Sequence, residues 1–191
     1  MRLNNEQTRY GLVSITLHWL IAVLTIALFV LGVWMVELDY YDSWYQQAPW
    51  WHKGLGIVVI CLLVFRWFWQ CFDAAPDELR SISTWQLKSA KIVHVLMNAS
   101  IIIISVTGYL IVTAKGKALL VFDWFAIPAM VTGVDNLEDM AGEVHVGSAY
   151  LLIALVGLHM FAALSHHFFY RDKTLTRMLG FNKERRQRSR L

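Results

Sequence analysis

The chain has 191 residues, of which 57% are hydrophobic and nine are tryptophan, and its mean hydropathy is +0.47. Such values exclude an ordinary soluble domain of this length. The net charge of +3 is no sign of nucleic-acid binding, because it maps to a tail, "FNKERRQRSRL", that serves more simply as an orientation determinant touching anionic lipid.

Four apolar blocks follow in chain order. Residues 12–36 contain no Asp, Glu, Lys or Arg; 54–65 are equally free and continue through Arg66 to Phe72; 92–114 and 144–170 complete the set. Roughly 20 apolar residues span a bilayer, so the expected fold is all-α: an integral membrane four-helix bundle in one domain over residues 1–191. Its helices are expected at about 12–36, 52–72, 91–114 and 144–170, with a basic tail over 171–191. The first block is longer than a signal-peptide core and lacks a small-x-small cleavage site before Glu37, so it is expected to remain as an anchor.

Of the 17 Lys and Arg residues, only Lys53, Lys115 and Lys117 fall in the first and third connections. Basic residues resist translocation, which places both termini and the middle loop in the cytoplasm. The opposite side carries "VELDYYDSWYQQAPWW" and the long segment 115–143, with Trp44, Trp50, Trp51 and Trp124 as expected interfacial anchors. Cys61 and Cys71 are ten residues apart on one helix, about 15 Å along its axis, too far for a mutual disulfide. The sequence has neither a CxxC pair nor a CxxCH run, which excludes a zinc ribbon, a thioredoxin-type site and a covalently attached c-type haem.

The histidines form a pattern. His18 lies near the cytoplasmic start of the first helix, and His52 and His145 open the second and fourth helices on the outer side. His159 follows His145 by fourteen residues, about 21 Å along the axis and about 40° short of four full turns, so both rings leave nearly one face. Depth then pairs His52 with His145 and His18 with His159. Two imidazoles facing each other across a bundle are the axial ligand set of a b-type haem, and two such pairs imply two stacked haems. Zinc would require three or four compact ligands, and the apolar blocks hold no carboxylate to complete them.

Arg66 follows His52 by the same fourteen residues and reaches the inner depth. There it either pairs with a haem propionate or quinone carbonyl, or snorkels at the helix end. His94 and His166 are each either lining residues of a small-molecule pocket beside the inner haem or interfacial histidines; His167 points elsewhere and is expected to be solvated. Gly54, Gly56 and Gly108 are places where a helix or a flat porphyrin could approach closely.

The segments "VSITLHW", "HKGLGIVVICLLVFRWFW", "AKIVHVLMNASIIIISVTGYLIVTAKGK" and "EVHVGSAYLLIALVGLHMFAALSHHFFYRDKTLTRML" together resemble the bacterial cytochrome b561 family over nearly the whole chain. The resemblance implies a multi-pass inner-membrane cytochrome with two haem b groups, whose axial ligands fall on His18, His52, His145 and His159. It also implies electron exchange with ubiquinone, and one relative oxidises superoxide and passes the electron to quinone. The expected function is therefore electron transfer between a one-electron donor, superoxide among the candidates, and ubiquinone. In that case the enzyme would be a superoxide:ubiquinone oxidoreductase, with Lys53, Lys115 and Lys117 either steering superoxide or serving as ordinary interfacial lysines. The alternative is a haem-bearing anchor subunit that exchanges electrons with a soluble dehydrogenase or hydrogenase.

Overall fold

The structure is a computed structural model and describes residues 2–79 and 81–181. Arg80 and the last ten residues of the basic tail lie outside the described residues. Four long helices dominate: α1 (Leu12–Met35), α2 (Gln47–Phe72), α3 (Thr84–Thr113) and α4 (Leu137–Ser165). Each is long and apolar enough to cross a membrane. A two-stranded hairpin, β1 (Leu119–Val121) with β2 (Phe125–Ile127), lies between α3 and α4, and a π-helical turn (His166–Tyr170) leads from α4 toward the short α5 (Thr174–Met178). Outward residues such as Val23, Val30 and Phe161 are 60%, 61% and 69% exposed, as a lipid-facing surface requires.

Three helices start earlier than the charge-free blocks suggest. α2 begins at Gln47, with Pro49 in the first turn, where its missing N–H costs no hydrogen bond. α3 begins at Thr84 because Ser83 and Gln86 form a capping box, and α4 begins at Leu137 with Glu138 and Asp139 in its positive first turn. Charged residues end an apolar block without ending a helix, since a helix continues into the headgroup layer.

The bundle consists of two antiparallel pairs, α1 with α2 and α3 with α4, which meet each other only sparsely. Their shared core is one apolar layer of Ile21, Val59, Leu63, Ile101 and Leu152. Leu152 lies seven residues from both His145 and His159, so this layer sits at mid-depth, about 10 Å along the axis from either histidine.

The end that holds α5 is tied together by a hook over residues 2–11. The carbonyls of Arg2 and Leu3 accept hydrogen bonds from the amides of Leu12 and Val13 at 3.0 and 3.3 Å, satisfying two of the four orphan N–H groups at the start of α1. Asn5 Oδ1 accepts from the Gly11 amide at 2.8 Å. A Cβ on Gly11 would fall 2.3 Å from the Leu3 carbonyl oxygen, so the hook closes only over a glycine. The Asn5 amide in turn donates to both carboxylate oxygens of Asp73 at 3.0 Å. Trp69 Nε1 donates to the same carboxylate at 2.9 Å, which leaves this buried charge well satisfied. Arg177 Nη1 donates to the Asp77 carbonyl at 2.8 Å, and Trp19 Nε1 to the Met178 carbonyl at 2.8 Å, joining α5 to α1 and to the α2–α3 loop.

At the other end the segment after α3, expected as a long extended connection, folds into the hairpin. Its tight turn places Phe122 and Asp123 at φ 49° and 59°, with the Trp124 amide donating to the Val121 carbonyl at 3.0 Å. These values match the primed hairpin turn that follows strand twist. Phe122 fills the space over Gly54, where a Cβ would lie 2.5 Å from the ring, and Trp50 Nε1 donates to Asp123 Oδ2 at 2.9 Å. Trp50, Trp51, Phe122 and Trp124 thus form one aromatic cluster. Tyr109 on α3 anchors the exit of the hairpin, its hydroxyl donating to Pro128 at 2.7 Å and accepting from the Met130 amide at 2.8 Å.

Candidate functional site

α4 carries a histidine toward each end of the bundle, and each meets one partner from the α1–α2 pair. His52 on α2 and His145 on α4 have ring centres 6.1 Å apart; His18 on α1 and His159 have theirs 6.3 Å apart. Both contacts cross the sparse boundary between the two helix pairs. The expected pairing by depth is thus the pairing of nearest rings across that boundary.

His145 is held most firmly. Its Nδ1 lies 2.9 Å from the Ile104 carbonyl, and since a carbonyl only accepts, Nδ1 carries the hydrogen and Nε2 keeps a free lone pair. Thr107 Oγ1 is 3.3 Å from the same Nδ1 while it donates to the Ile103 carbonyl at 2.7 Å. Gly108 backs the ring: a Cβ there would come within 3.0 Å of His145 Cε1. On the opposite face Gly32 of α1 backs His52 in the same way, again at 3.0 Å from Cε1. Among the described residues His52 Nδ1 is buried without a hydrogen-bond partner. Thr107 and Gly32 are the site residues that sequence reading misses. For Thr107 the available signal is the pair Thr107-Gly108, a hydroxyl and a glycine side by side in an otherwise apolar run.

At the level of His18 and His159 the arrangement is richer. His94 on α3 comes within 5.0 Å of His159, ring centre to ring centre, and Arg66 lies close enough to act electrostatically on His18, His94 and His159. Tyr10 in turn lies close enough to act electrostatically on Arg66. His166 stacks beside Tyr170, and its Nδ1 donates to Asp172 Oδ2 at 2.5 Å. Burial pushes the Asp172 carboxyl up, but hydrogen bonds from Thr174 and His166 outweigh it and hold the group below the usual carboxylate range. His167, expected in solvent, instead has a buried Nδ1 without a hydrogen-bond partner among the described residues. Of Lys53, Lys115 and Lys117, Lys115 is engaged by Glu138, whose hydrogen bond and charge raise its ammonium above the ordinary lysine range.

Residues 9–181 match the sequence profile of prokaryotic cytochrome b561. The chain belongs to that family. Cytochrome b561 homolog 2 of Escherichia coli K12 is 41% identical over 180 residues, which cover 94% of this chain and 96% of the relative. Cytochrome b561 homolog 1 of the same organism is 26% identical, over 92% of this chain and 99% of its own length. A probable superoxide oxidase CybB of Yersinia pestis is 27% identical, over 90% and 96%. As a cytochrome b561, the protein is a bacterial membrane electron-transfer protein whose family implies haem b.

The residues present in this cytochrome fit that group. An imidazole nitrogen sits about 2 Å from a metal it binds, so two rings opposed across one iron have centres roughly 6 Å apart, as both pairs do here. The 5.0 Å between His94 and His159 is too short for an iron between them. The two helix pairs touch only sparsely along this boundary, and nothing lies within 4 Å of a Cβ placed at Gly56. Among the described residues no group of three or more His, Cys, Asp or Glu side chains is placed to hold a metal ion.

Proposed function

We propose that this cytochrome holds two haem b groups in the inner membrane, one on His52 and His145 and one on His18 and His159, and transfers electrons between a one-electron donor and ubiquinone. The observation that carries the reading is the recurrence, at both ends of α4, of a cross-bundle imidazole pair with ring centres about 6 Å apart. When bound, each haem supplies a one-electron couple that side chains tune through ligation, hydrogen bonding and burial.

The chain's own contributions follow from its contacts. The Ile104 carbonyl fixes the tautomer and orientation of His145, and a hydrogen-bonded ligand imidazole is a stronger donor. Gly32 and Gly108 let the two outer rings lie flush against α1 and α3. The mid-depth apolar layer excludes water between the two levels. Arg66 supplies the positive charge of the inner level, suited to a propionate or a quinone carbonyl. His94 lies in the same group and is proposed as a lining residue there, as is His166 just beyond it.

Superoxide is the proposed donor on the strength of the relative named as a probable superoxide oxidase. Purified protein should contain two haems per chain. His18→Ala and His159→Ala should each remove one and the same haem, and His52→Ala and His145→Ala the other. Loss of a common haem in His18→Ala and His52→Ala would overturn the assignment. Ubiquinone reduction by superoxide in the purified chain supports the oxidoreductase, whereas activity only with an added soluble dehydrogenase would make the protein an anchor subunit.

A further inference from the structure

A small cavity lies at the end formed by residues 2–11 and α5. It measures about 70 Å³, room for more than a single water, and is lined by Arg2, Asn4, Arg9 and Tyr10 of the hook and by Thr176 and Arg177 of α5. Three guanidinium groups therefore converge on one small space. Glu6 ion-pairs with two of them, reaching Arg2 at 3.1 Å and Arg9 at 2.7 Å, so these four side chains together carry a net charge of +2. Arg177 spends Nη1 on the Asp77 carbonyl, while its Nε is buried with no hydrogen-bond partner among the described residues. A buried guanidinium nitrogen without an acceptor is costly, and a bound oxyanion would remove that cost.

A shallow, open apolar groove on α1 is lined by Ile15, Thr16, Trp19, Leu20 and Val23. Trp19 joins the two, since it lines the groove and donates to the Met178 carbonyl next to Arg177. The basic bias of the sequence places this end in the cytoplasm, so the cavity lies at headgroup depth and the groove runs into the hydrocarbon.

We propose that the cavity binds the phosphate of an anionic phospholipid of the cytoplasmic leaflet, with one acyl chain along the Ile15 to Val23 face of α1. Guanidinium forks recognise phosphate oxygens by paired hydrogen bonds, and the residual positive charge selects against a headgroup that carries its own ammonium. The lipid would bridge α1 and α5 at the point where the hook closes.

The test is native mass spectrometry of the whole protein released from nanodiscs of phosphatidylglycerol or phosphatidylethanolamine, for the wild type, Arg2→Gln, Arg177→Lys and the double variant Arg2→Gln/Arg177→Gln. The wild type should retain one phosphatidylglycerol and no phosphatidylethanolamine. The double variant should lose about tenfold or more of that retention, as expected for two charge-assisted contacts. Arg177→Lys, which keeps the charge and loses the fork, should fall between. Arg2→Gln leaves the bond to Asp77 intact and should by itself reduce retention, which keeps the test decisive if the double variant unfolds. Equal retention in all variants, or equal retention of both lipids, overturns the proposal. Displacement of the lipid by millimolar inorganic phosphate would assign the cavity to free phosphate and overturn the lipid reading as well.

Discussion

Adding one methyl group at Gly108 tests whether the His145 ring is seated against α3. The new Cβ would lie 3.0 Å from His145 Cε1 and 3.3 Å from Nδ1, against an ordinary carbon contact of about 3.5–4.0 Å. The ring must therefore retreat by about 0.5 Å, and it is not free to do so, because Nδ1 is bonded to the Ile104 carbonyl of the same helix at 2.9 Å. Overpacking of this kind costs about 1–3 kcal/mol, and the better helix propensity of alanine returns up to about 1 kcal/mol. A net loss of about 1–2 kcal/mol corresponds to roughly 5- to 30-fold weaker ligation. Gly32→Ala presses on His52 at the same distance from a different helix and should affect the same haem. The assay is haem per chain together with the reduced-minus-oxidised spectrum. Full occupancy with unshifted bands in both variants, or depletion of two different haems, would refute the reasoning.

Three further outcomes are expected. Asp172 has its folded-state carboxyl held below the unfolded value, so its contribution to stability is complete above the ordinary carboxylate range near pH 4 and fades as pH falls through the depressed value. The difference in melting temperature between wild type and Asp172→Asn should accordingly shrink as pH falls below about 4. Gly11→Ala places a methyl against the Leu3 carbonyl and should destabilise the fold by about 1–3 kcal/mol, measured by thermal unfolding, with faster proteolytic trimming of the first ten residues. Trp50→Phe removes the bond to Asp123 while keeping the aromatic packing on Phe122; a loss of about 1 kcal/mol and earlier protease cleavage in the hairpin are expected.

The four spans are legible in sequence because lipid imposes a length and a composition that few other contexts demand. The histidine set is legible for a related reason: polar rings at membrane depth are rare, and helical periodicity converts their spacing into faces and depths. Local signals were weaker guides. The capping box at Ser83 and Gln86 extends α3 back past Lys88 and Lys91, where a search for charge-free sequence stops. The hairpin is hidden because its turn places Phe122 and Asp123, rather than glycine or asparagine, in the left-handed region, and only the pocket over Gly54 explains the phenylalanine. The hook depends on Asn5 meeting Asp73, sixty-eight residues away, a contact no periodicity encodes. Thr107 belongs to the same class, since its nearness to His145 follows from how α3 packs on α4.

Carrying two of the paired histidines on one unbroken helix couples the two levels mechanically. Any rotation of α4 about its axis swings His145 and His159 by the same angle, and any slide moves both by the same distance, so neither level can be adjusted alone. One residue inserted between them would turn the far ring by about 100° relative to the near one. The fourteen-residue interval is therefore a gauge: single-residue insertions or deletions inside it should be tolerated by the membrane span and rejected by one of the two imidazole pairs.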